Sequence, residues 1–375
     1  MSFLNEANFL RFDANLYLDI KNNGYRDEWL CAFFPAFPYF WKLLNVSAIG
    51  ISIVNAVIFI LSFSAIATLY KIEWKRQLFL LSIPSFIFMF VPYTEPLFFA
   101  TGTFLIIGLN KNKLGLILIG LLFGSLIRPT TFVFIPAILI SYVITERYFK
   151  QGLTKSIAPI LVLITGLLLT TLVHYFYTNK WFVFFEAQKL WKNYFHLPQL
   201  PLTSWGGDAS NRFDGSALAI SLFCGVYLVY LFFEKLKNKI SLSKDFVFSM
   251  SYITGTSLLI LAYRDGNLYS LNRFIYATPF IIVSIHYFFS NYHFNWKHVW
   301  IIFFTSEGFW LLFGSYNHIH NLLMFSTVSL YFIFLLFTKH KNKTISTISL
   351  LSLIIINSIG LIKLYYRFLN NGWVG

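Results

Sequence analysis

The chain has 375 residues, of which 57% are hydrophobic, 21% aromatic and only 12% charged, and its mean hydropathy is +0.65. Soluble domains carry about a quarter charged residues, so this composition excludes a soluble globular protein. The net charge of +14 would suggest nucleic acid as a partner in a soluble protein, but the basic residues cluster between apolar runs. That distribution is typical of cytoplasmic membrane-protein loops, so membrane lipids and not nucleic acid are the expected surroundings.

Apolar runs follow one another along most of the chain and predict its membrane-crossing segments. About twenty apolar residues in a helix cross a hydrocarbon core about 30 Å thick. In chain order the runs are 47–70, 77–91, 96–109, 114–127, 130–145, 157–178, 216–233, 246–263, 274–290, 298–314, 321–338 and 345–366. We predict an all-α polytopic membrane protein of about 10–12 transmembrane segments. A single integral membrane domain is expected over 1–375, with a bundle at 47–366 and extracytoplasmic loops at 1–46 and 179–215.

Basic clusters between the runs assign the two sides of the membrane. Lys and Arg concentrate in cytoplasmic loops. The clusters are Lys71/Lys75/Arg76, Lys111/Lys113, Arg147/Lys150/Lys155, Lys235/Lys237/Lys239/Lys244 and Lys339/Lys341/Lys343. Alternating crossings then place residues 1–46, 92–95, 179–215, 264–273 and 315–320 on the outer side.

Segment 114–145 has an unusual length, since it is too long for one crossing and short for two. Arg128-Pro129 lies near its middle. A proline there breaks the helical ladder, and the freed backbone is tolerated at membrane depth only beside protein or water. The sequence therefore predicts short broken helices next to an aqueous pocket.

The first loop contains a candidate general base. Residues 12–21 are predicted to form an interfacial amphipathic helix, because Leu16, Tyr17 and Ile20 recur at helical spacing. Asp13 and Asp19 point about 120° apart on such a helix, so we do not expect them to act as a pair. Asp13 lies beside the apolar face, where its carboxylate is a candidate base. The alternative is a first-turn aspartate that only compensates the helix dipole.

Three further charged residues are candidates for substrate binding. Glu95 precedes Pro96 and either binds the acceptor or caps the helix that begins there. Arg128 is predicted near membrane depth, where a phosphate is its natural partner and snorkelling to the interface is the alternative. Arg273 is predicted at the start of an outer helix and is a candidate to hold the same phosphate, because the helix dipole there disfavours a cation and a compensating anion is expected.

Gln188 and Trp191 lie one helical turn apart in the second loop, so both side chains can face one site. An interfacial belt position is the alternative for Trp191.

A series of short sequence motifs spans residues 11–280. The first loop contains Phe12-Asp13-Ala14, Tyr17-Leu18, Gly24-Tyr25 and Phe33-Phe34-Pro35-Ala36-Phe37-Pro38. Further along lie Pro92-Tyr93-Thr94-Glu95-Pro96-Leu97-Phe98, Gly124-Ser125-Leu126-Ile127-Arg128-Pro129-Thr130, Ala187-Gln188-Lys189-Leu190-Trp191 and Asn272-Arg273-Phe274-Ile275-Tyr276. In this order the motifs resemble the PIG-V family, mannosyltransferases of the GT-C class typified by the second mannosyltransferase of GPI-anchor synthesis. That family normally places a transmembrane helix before the first loop, whereas here the motif follows the first residues directly.

The resemblance implies a GT-C-like bundle that transfers a sugar, mannose in that family, from a polyprenyl-phosphate donor with inversion. The acceptor would be an extracytoplasmic glycan, glycolipid or protein, and Asp13 would take the role of the carboxylate that deprotonates its hydroxyl. The residues assigned to substrate binding are Arg11, Tyr17, Glu95, Arg128, Gln188, Trp191 and Arg273. The Lys-, Asn-, Ile- and Phe-rich composition suggests an AT-rich genome, for which a bacterial source is expected. We therefore expect an inner (plasma) membrane protein with its active site facing outward.

Two other classes of function stay open: a multi-pass transporter or lipid flippase, and a non-catalytic lipid-binding or assembly component. Transporters place ionisable residues near the membrane midplane and often contain inverted repeats. Only Glu307 is a clearly intramembrane acid in this sequence, and no repeat is visible. The sequence has no cofactor motif and no metal motif. Asp13 and Glu95 are nevertheless candidates to bind a divalent cation, since carboxylates suit hard cations.

Overall fold

The computed structural model describes residues 5–205, 208–237, 242–314 and 319–374, apart from the side chains of 208–211 and 319–325. Within those ranges the chain is helical and contains no β-strand. Part of the predicted outer loop at 315–320 lies outside the described residues, as does Lys239 of a predicted basic cluster.

The helices follow the predicted apolar runs. In chain order they are α1 (Glu6–Phe9), α2 (Asp13–Asn23), α3 (Ala36–Leu44), α4 (Ala48–Leu69), α5 (Trp74–Leu81), α6 (Glu95–Asn110), α7 (Leu114–Gly124), α8 (Phe134–Thr145), α9 (Phe149–Thr178), α10 (Val183–Leu190), α11 (Asp208–Leu236), α12 (Lys244–Tyr263), α13 (Leu271–Tyr276), α14 (Pro279–Asn291), α15 (Trp296–Trp310), α16 (Ile319–Phe337) and α17 (Lys343–Leu369). Short 3₁₀ helices lie at Glu28–Ala32, Pro84–Met89, Pro129–Val133 and Leu311–Phe313. Helices α4, α9, α11, α12 and α17 are long and apolar enough to cross a membrane. The prediction of an all-α polytopic membrane protein is confirmed.

Prolines break two of the apolar runs into short pieces. In segment 114–145, α7 ends at Gly124 and a 3₁₀ helix begins at Pro129, which confirms the predicted break. The run 77–91 is likewise not one helix, because α5 ends at Leu81 and a 3₁₀ helix follows from Pro84. Proline has no backbone N–H to donate, so the helical hydrogen-bond ladder is interrupted at Pro84 and at Pro129.

The loops that alternating crossings assign to the outer side contact one another at one end of the helices, here called the Asp13 end. The Nε1 of Trp191 in the second loop donates to the carbonyl of Trp29 in the first loop at 3.0 Å. The backbone N of Thr203 donates to the Gly266 carbonyl at 3.1 Å, which joins the second loop to the segment after α12.

The basic clusters meet at the opposite end, here called the Asp245 end. Lys244 forms an ion pair with Glu146 at 2.7 Å, and Asn110 donates to the Asp245 carboxylate at 2.9 Å. Tyr70, at the end of α4, also donates to Asp245. The two ends therefore differ in chemistry, with basic loops at one and loop helices at the other.

Helix α2 packs on protein and not along a lipid surface. Its buried face consists of Ala14, Tyr17 and Ile20. The Tyr17 ring lies 5.1 Å from Phe37 and 5.4 Å from Phe33, so helices of the first loop cover this face. The expectation of an interfacial helix at 12–21 is thus right about the helix and wrong about what its apolar face contacts.

Aromatic side chains form the core directly beneath the Asp13 end. The Phe134 ring of α8 lies 5.8 Å from Phe98 of α6, 5.2 Å from Phe248 of α12 and 5.7 Å from Phe280 of α14. Edge and tilted contacts of this kind add about 0.5–1.5 kcal/mol per pair to the hydrophobic term. The cluster fixes the helix ends on which the candidate site is built.

Candidate functional site

Four of the predicted site residues form one connected charge cluster at the Asp13 end: Asp13, Glu95, Arg128 and Arg273. Nη1 of Arg273 lies 2.6 Å from Oδ2 of Asp13, and Nη2 lies 3.4 Å from Oε2 of Glu95. The Nε of Arg273 also donates to Glu95 Oε1. Nη1 of Arg128 lies 3.3 Å from the same Oε1, but its N–H is not aligned for a hydrogen bond, so this contact is ionic.

Asp13 is placed by an unusual backbone conformation in the residue before it. Phe12 has φ of 49°, although it is neither Gly nor Asn, and α2 begins directly after it. Positive φ in a bulky residue is rare and persists only where the surroundings hold it. The Phe12 ring packs edge-on against Trp373 at 5.1 Å and in a tilted arrangement against Phe368 at 6.3 Å. The C-terminal end of the chain thereby holds the turn that presents Asp13.

Glu95 and Arg128 are positioned by the prolines that follow them. Glu95 is the first residue of α6. The first turn of a helix tolerates Pro96, because the N–H that proline lacks would have no partner there, and the helix dipole favours a carboxylate at this end. Arg128 is extended, with φ of −147° and ψ of 142°, as expected for a residue before Pro129. Its side chain turns inward to Glu95 and does not snorkel to the interface.

Arg273 is held in place by its neighbour Asn272. The carboxylate of Asp214, which is fully buried, accepts from the Asn272 backbone N at 2.8 Å and from Asn272 Nδ2 at 2.7 Å. Asn272 Oδ1 accepts from Ser85 at 2.9 Å. These bonds fix the short helix α13 against α11 and the Pro84–Met89 turn.

Aromatic faces surround both cluster arginines. The Arg273 guanidinium carbon lies 4.5 Å from the Tyr93 ring centroid and 5.1 Å from Phe88. That of Arg128 lies 4.6 Å from Phe274. Such contacts exclude water and add cation–π attraction of about 0.5–2 kcal/mol each.

Burial makes this cluster an electrostatic unit. The side chains of Glu95, Arg128 and Arg273 are 0%, 4% and 5% exposed, whereas that of Asp13 is 21% exposed. Burial alone would lower the pKa of Arg273, but the Glu95 and Asp13 carboxylates raise it well above its ordinary value. The anion expected near Arg273 is therefore supplied by the protein itself, and Asp13 is the member of the cluster that solvent reaches.

Tyr17 and Arg11, two predicted substrate-binding residues, lie beside the cluster. Burial, reinforced by the Asp13 carboxylate, raises the pKa of Tyr17 above its ordinary value, so its hydroxyl stays protonated. Arg11 contributes its backbone carbonyl, which accepts from Tyr93 at 3.4 Å, while its Nη2 donates to Asn8. The Arg11 side chain therefore points to α1.

Gln188 and Trp191 connect the second loop to the site through intermediates. Trp191 contacts the Phe33 ring at 5.7 Å, next to Tyr17. Gln188 Oε1 accepts from Asn193 at 2.8 Å, and Asn193 in turn accepts from the Tyr269 hydroxyl at 3.1 Å. Neither contacts the charge cluster directly.

Sequence reasoning missed Arg264, Tyr269 and Asp214. Arg264 caps the end of α12, and its guanidinium carbon lies 3.7 Å from the Tyr269 ring. A signal was present, because a basic residue directly after an apolar run, on the side predicted to be outer, runs against the usual lysine and arginine distribution.

An arginine side chain lies between Asp13 and Glu95, the two carboxylates predicted as candidates for a divalent cation. Both carboxylates point at the Arg273 guanidinium, which occupies the space between them. Across the described ranges, no group of three or more His, Cys, Asp or Glu side chains has the arrangement of a metal site.

Two surface cavities lie away from the charge cluster. One of about 190 Å³ lies at the Asp245 end and is lined by Asn110, Glu146, Lys244 and Asp245 among others. Another of about 520 Å³ lies between α4 and α6 near Thr68 and Lys111. Neither is lined by residues of the Asp13 end, where the candidate site residues converge.

Comparisons with models of protein families, with curated proteins and with solved structures find no match to this chain. The resemblance of the motifs to the PIG-V family therefore stays a prediction.

Proposed function

We propose that the chain is a GT-C-like membrane glycosyltransferase that uses a polyprenyl-phosphate sugar, with mannose the first candidate. The acceptor is a hydroxyl of an extracytoplasmic glycan, glycolipid or protein. The location proposed with this function is the bacterial plasma membrane, with the Asp13 end facing outward.

The observation that carries the proposal is the position of Asp13. Its Oδ2 is bound by Arg273, and its partly exposed carboxylate leaves Oδ1 for an acceptor hydroxyl. A candidate base must come within hydrogen-bond reach of the proton that it accepts. The buried partners fix Asp13 in one orientation, which is what a positioned base needs.

The reaction uses these groups in a single displacement. The acceptor oxygen attacks the anomeric carbon and forms the new C–O bond, while the bond from that carbon to the phosphate oxygen breaks. The electron pair of the broken bond leaves with the polyprenyl phosphate, and the hydroxyl proton passes to Asp13. Attack opposite the leaving group inverts the anomeric centre.

The proposal predicts sugar transfer in membranes that contain the chain. Labelled mannosyl-phosphoryl-polyprenol is supplied as the donor, and the host membrane's lipid extract as the acceptor pool. We expect label in a new product that is absent from membranes without the chain, and NMR of that product should show an inverted linkage. No product from mannose or glucose donors, with the protein folded, would refute the proposal and favour the transporter alternative.

Cysteine labelling tests separately the predicted orientation of the chain in the membrane. The native Cys31 and Cys224 are 0% and 2% exposed, so they give a low background. Asn22→Cys at the Asp13 end should react with a membrane-impermeant maleimide on intact cells, and Thr344→Cys at the other end should react only after lysis. The reverse pattern would place the Asp13 end inside and contradict an extracytoplasmic site.

A further inference from the structure

Arg264 is a half-buried cation at the Asp13 end that no carboxylate neutralises directly. Among the described residues it forms no ion pair, whereas Arg128 and Arg273 both pair with Glu95. Its Nη1 donates to the Tyr269 carbonyl. Nε and Nη2 have no partner in the described part of the chain and keep contact with solvent, so two N–H-bearing atoms stay available.

Aromatic stacking holds the Arg264 guanidinium in one plane. Tyr269 lies 3.7 Å below the guanidinium carbon, and Trp205 stacks on Tyr269 at 4.2 Å with an interplanar angle of 7°. The Tyr269 hydroxyl is fixed by Asn193 at 3.1 Å. A stacked, planar guanidinium presents its free edge for two-pronged binding of phosphate, which a lysine ammonium does not.

The charges around Phe274 leave an excess of positive charge on the Arg264 side. The guanidinium carbons of Arg128, Arg264 and Arg273 lie 4.6, 5.5 and 6.0 Å from the Phe274 ring centroid. Asp13 and Glu95 pair with only two of them. Asp214 acts on Arg264 from farther away, and its carboxylate oxygens are already hydrogen-bonded by Asn272 and Ser204.

Exposed apolar side chains run beside Arg264. The backbone N of His196 donates to the carbonyl of Ala262 at 2.8 Å, so this part of the second loop follows the end of α12. On this stretch Phe195, Leu197 and Leu200 are 70%, 81% and 65% exposed. An apolar surface next to a cation suits an anion with a hydrocarbon tail.

We propose that Arg264, backed by Tyr269, binds the phosphate of an isoprenoid lipid phosphate, and that Arg128 and Arg273 position the carboxylates instead. This assignment rests on the proposed function and deepens it, because the donor and the released polyprenyl phosphate share that group. Arg264 would stabilise the charge that develops on the leaving phosphate as the sugar departs.

The test measures binding of polyprenyl phosphate, without a sugar, to the purified full chain in nanodiscs. Loss of charge-assisted hydrogen bonds predicts about 10- to 100-fold weaker binding for Arg264→Gln. Arg264→Lys keeps the charge but loses the stacked fork, so an intermediate loss is expected. Arg26→Gln is the matched control, since Arg26 lies at the same end, is 58% exposed and pairs with Asp19.

The outcomes separate this assignment from the proposed function. Unchanged binding in Arg264→Gln and Arg264→Lys, or equal binding of uncharged polyprenol, would overturn the phosphate assignment. Displacement by millimolar inorganic phosphate alone would overturn the lipid source. Arg264-dependent binding by a wild-type chain that transfers no sugar would support the site while refuting the glycosyltransferase.

Discussion

Asp13→Asn is expected to lower the rate of sugar transfer by about 10²- to 10⁴-fold, the usual contribution of a positioned general base. Asparagine has nearly the same shape but cannot take the acceptor proton. Because Arg264 and not Asp13 is assigned to the phosphate, affinity for polyprenyl phosphate should stay within about twofold. The measurements are single-turnover transfer from mannosyl-phosphoryl-polyprenol and equilibrium binding of polyprenyl phosphate.

Asp19→Asn provides the matched control for this variant. Asp19 lies on the same helix with similar exposure, but its carboxylate pairs with Arg26 at 3.0 Å and accepts from Asn23 at 2.7 Å. It should transfer sugar at the wild-type rate. Because Asp13→Asn also weakens a contact of Arg273, thermal unfolding must be followed in parallel. A normal transfer rate in folded Asp13→Asn would remove Asp13 as the base.

The sequence predicts an all-α membrane protein correctly, because hydropathy responds directly to the bilayer. The assignment of sides from the lysine distribution stays a prediction. The break at Arg128-Pro129 was predictable for a local reason, since a proline acts on its own turn. The face of α2 was misassigned, because periodicity shows that Tyr17 and Ile20 share a side and does not show what covers it. That information lies in the first loop's tertiary packing against Phe33 and Phe37.

Four of the residues predicted for the site form the charge cluster, but their pairing was not predicted. Asp13, Glu95, Arg128 and Arg273 come from four distant parts of the chain. The outer-side assignment predicts that Asp13, Glu95 and Arg273 lie at one end, whereas Arg128 was predicted only near membrane depth. Sequence reasoning gave the arginines to a donor phosphate, because an unpaired cation near the membrane needs an anion. The structure supplies protein carboxylates to both, and this frees the phosphate role for Arg264.

The charged residues at the Asp13 end thus fall into two groups, buried pairs and solvent-facing side chains. Groups with fully buried charge, such as Glu95 and Arg128, are compensated within the protein and cannot bind an incoming ion without breaking a pair. The groups that face solvent, Asp13 and Arg264, carry opposite charges suited to an acceptor hydroxyl and a phosphate. Reactivity is expected only at this exposed edge.

Glu95→Gln is expected to destabilise the fold by about 3–5 kcal/mol, since it removes the shared partner of two buried arginines. Glu95 is fully buried, and its Oε1 contacts both Arg273 and Arg128. The free energy of unfolding, measured by reversible denaturation in mixed micelles, checks this value. Glu28→Gln is the exposed control; its pair with Lys180 is solvated on both sides, so its loss should leave the free energy of unfolding nearly unchanged.

The double variant Glu95→Gln/Arg128→Gln tests whether charge compensation is the reason. Glu95→Gln leaves the cluster with one uncompensated positive charge. Arg128→Gln leaves it with one uncompensated negative charge, because Glu95 and Asp13 must then share the charge of Arg273. Together the substitutions restore a neutral pair of Asp13 and Arg273, so the double variant should be about 0.5–3 kcal/mol more stable than the two single effects predict by addition. Strict additivity would mean that each side chain acts through packing, and the charge cluster would then lose its role in holding Asp13.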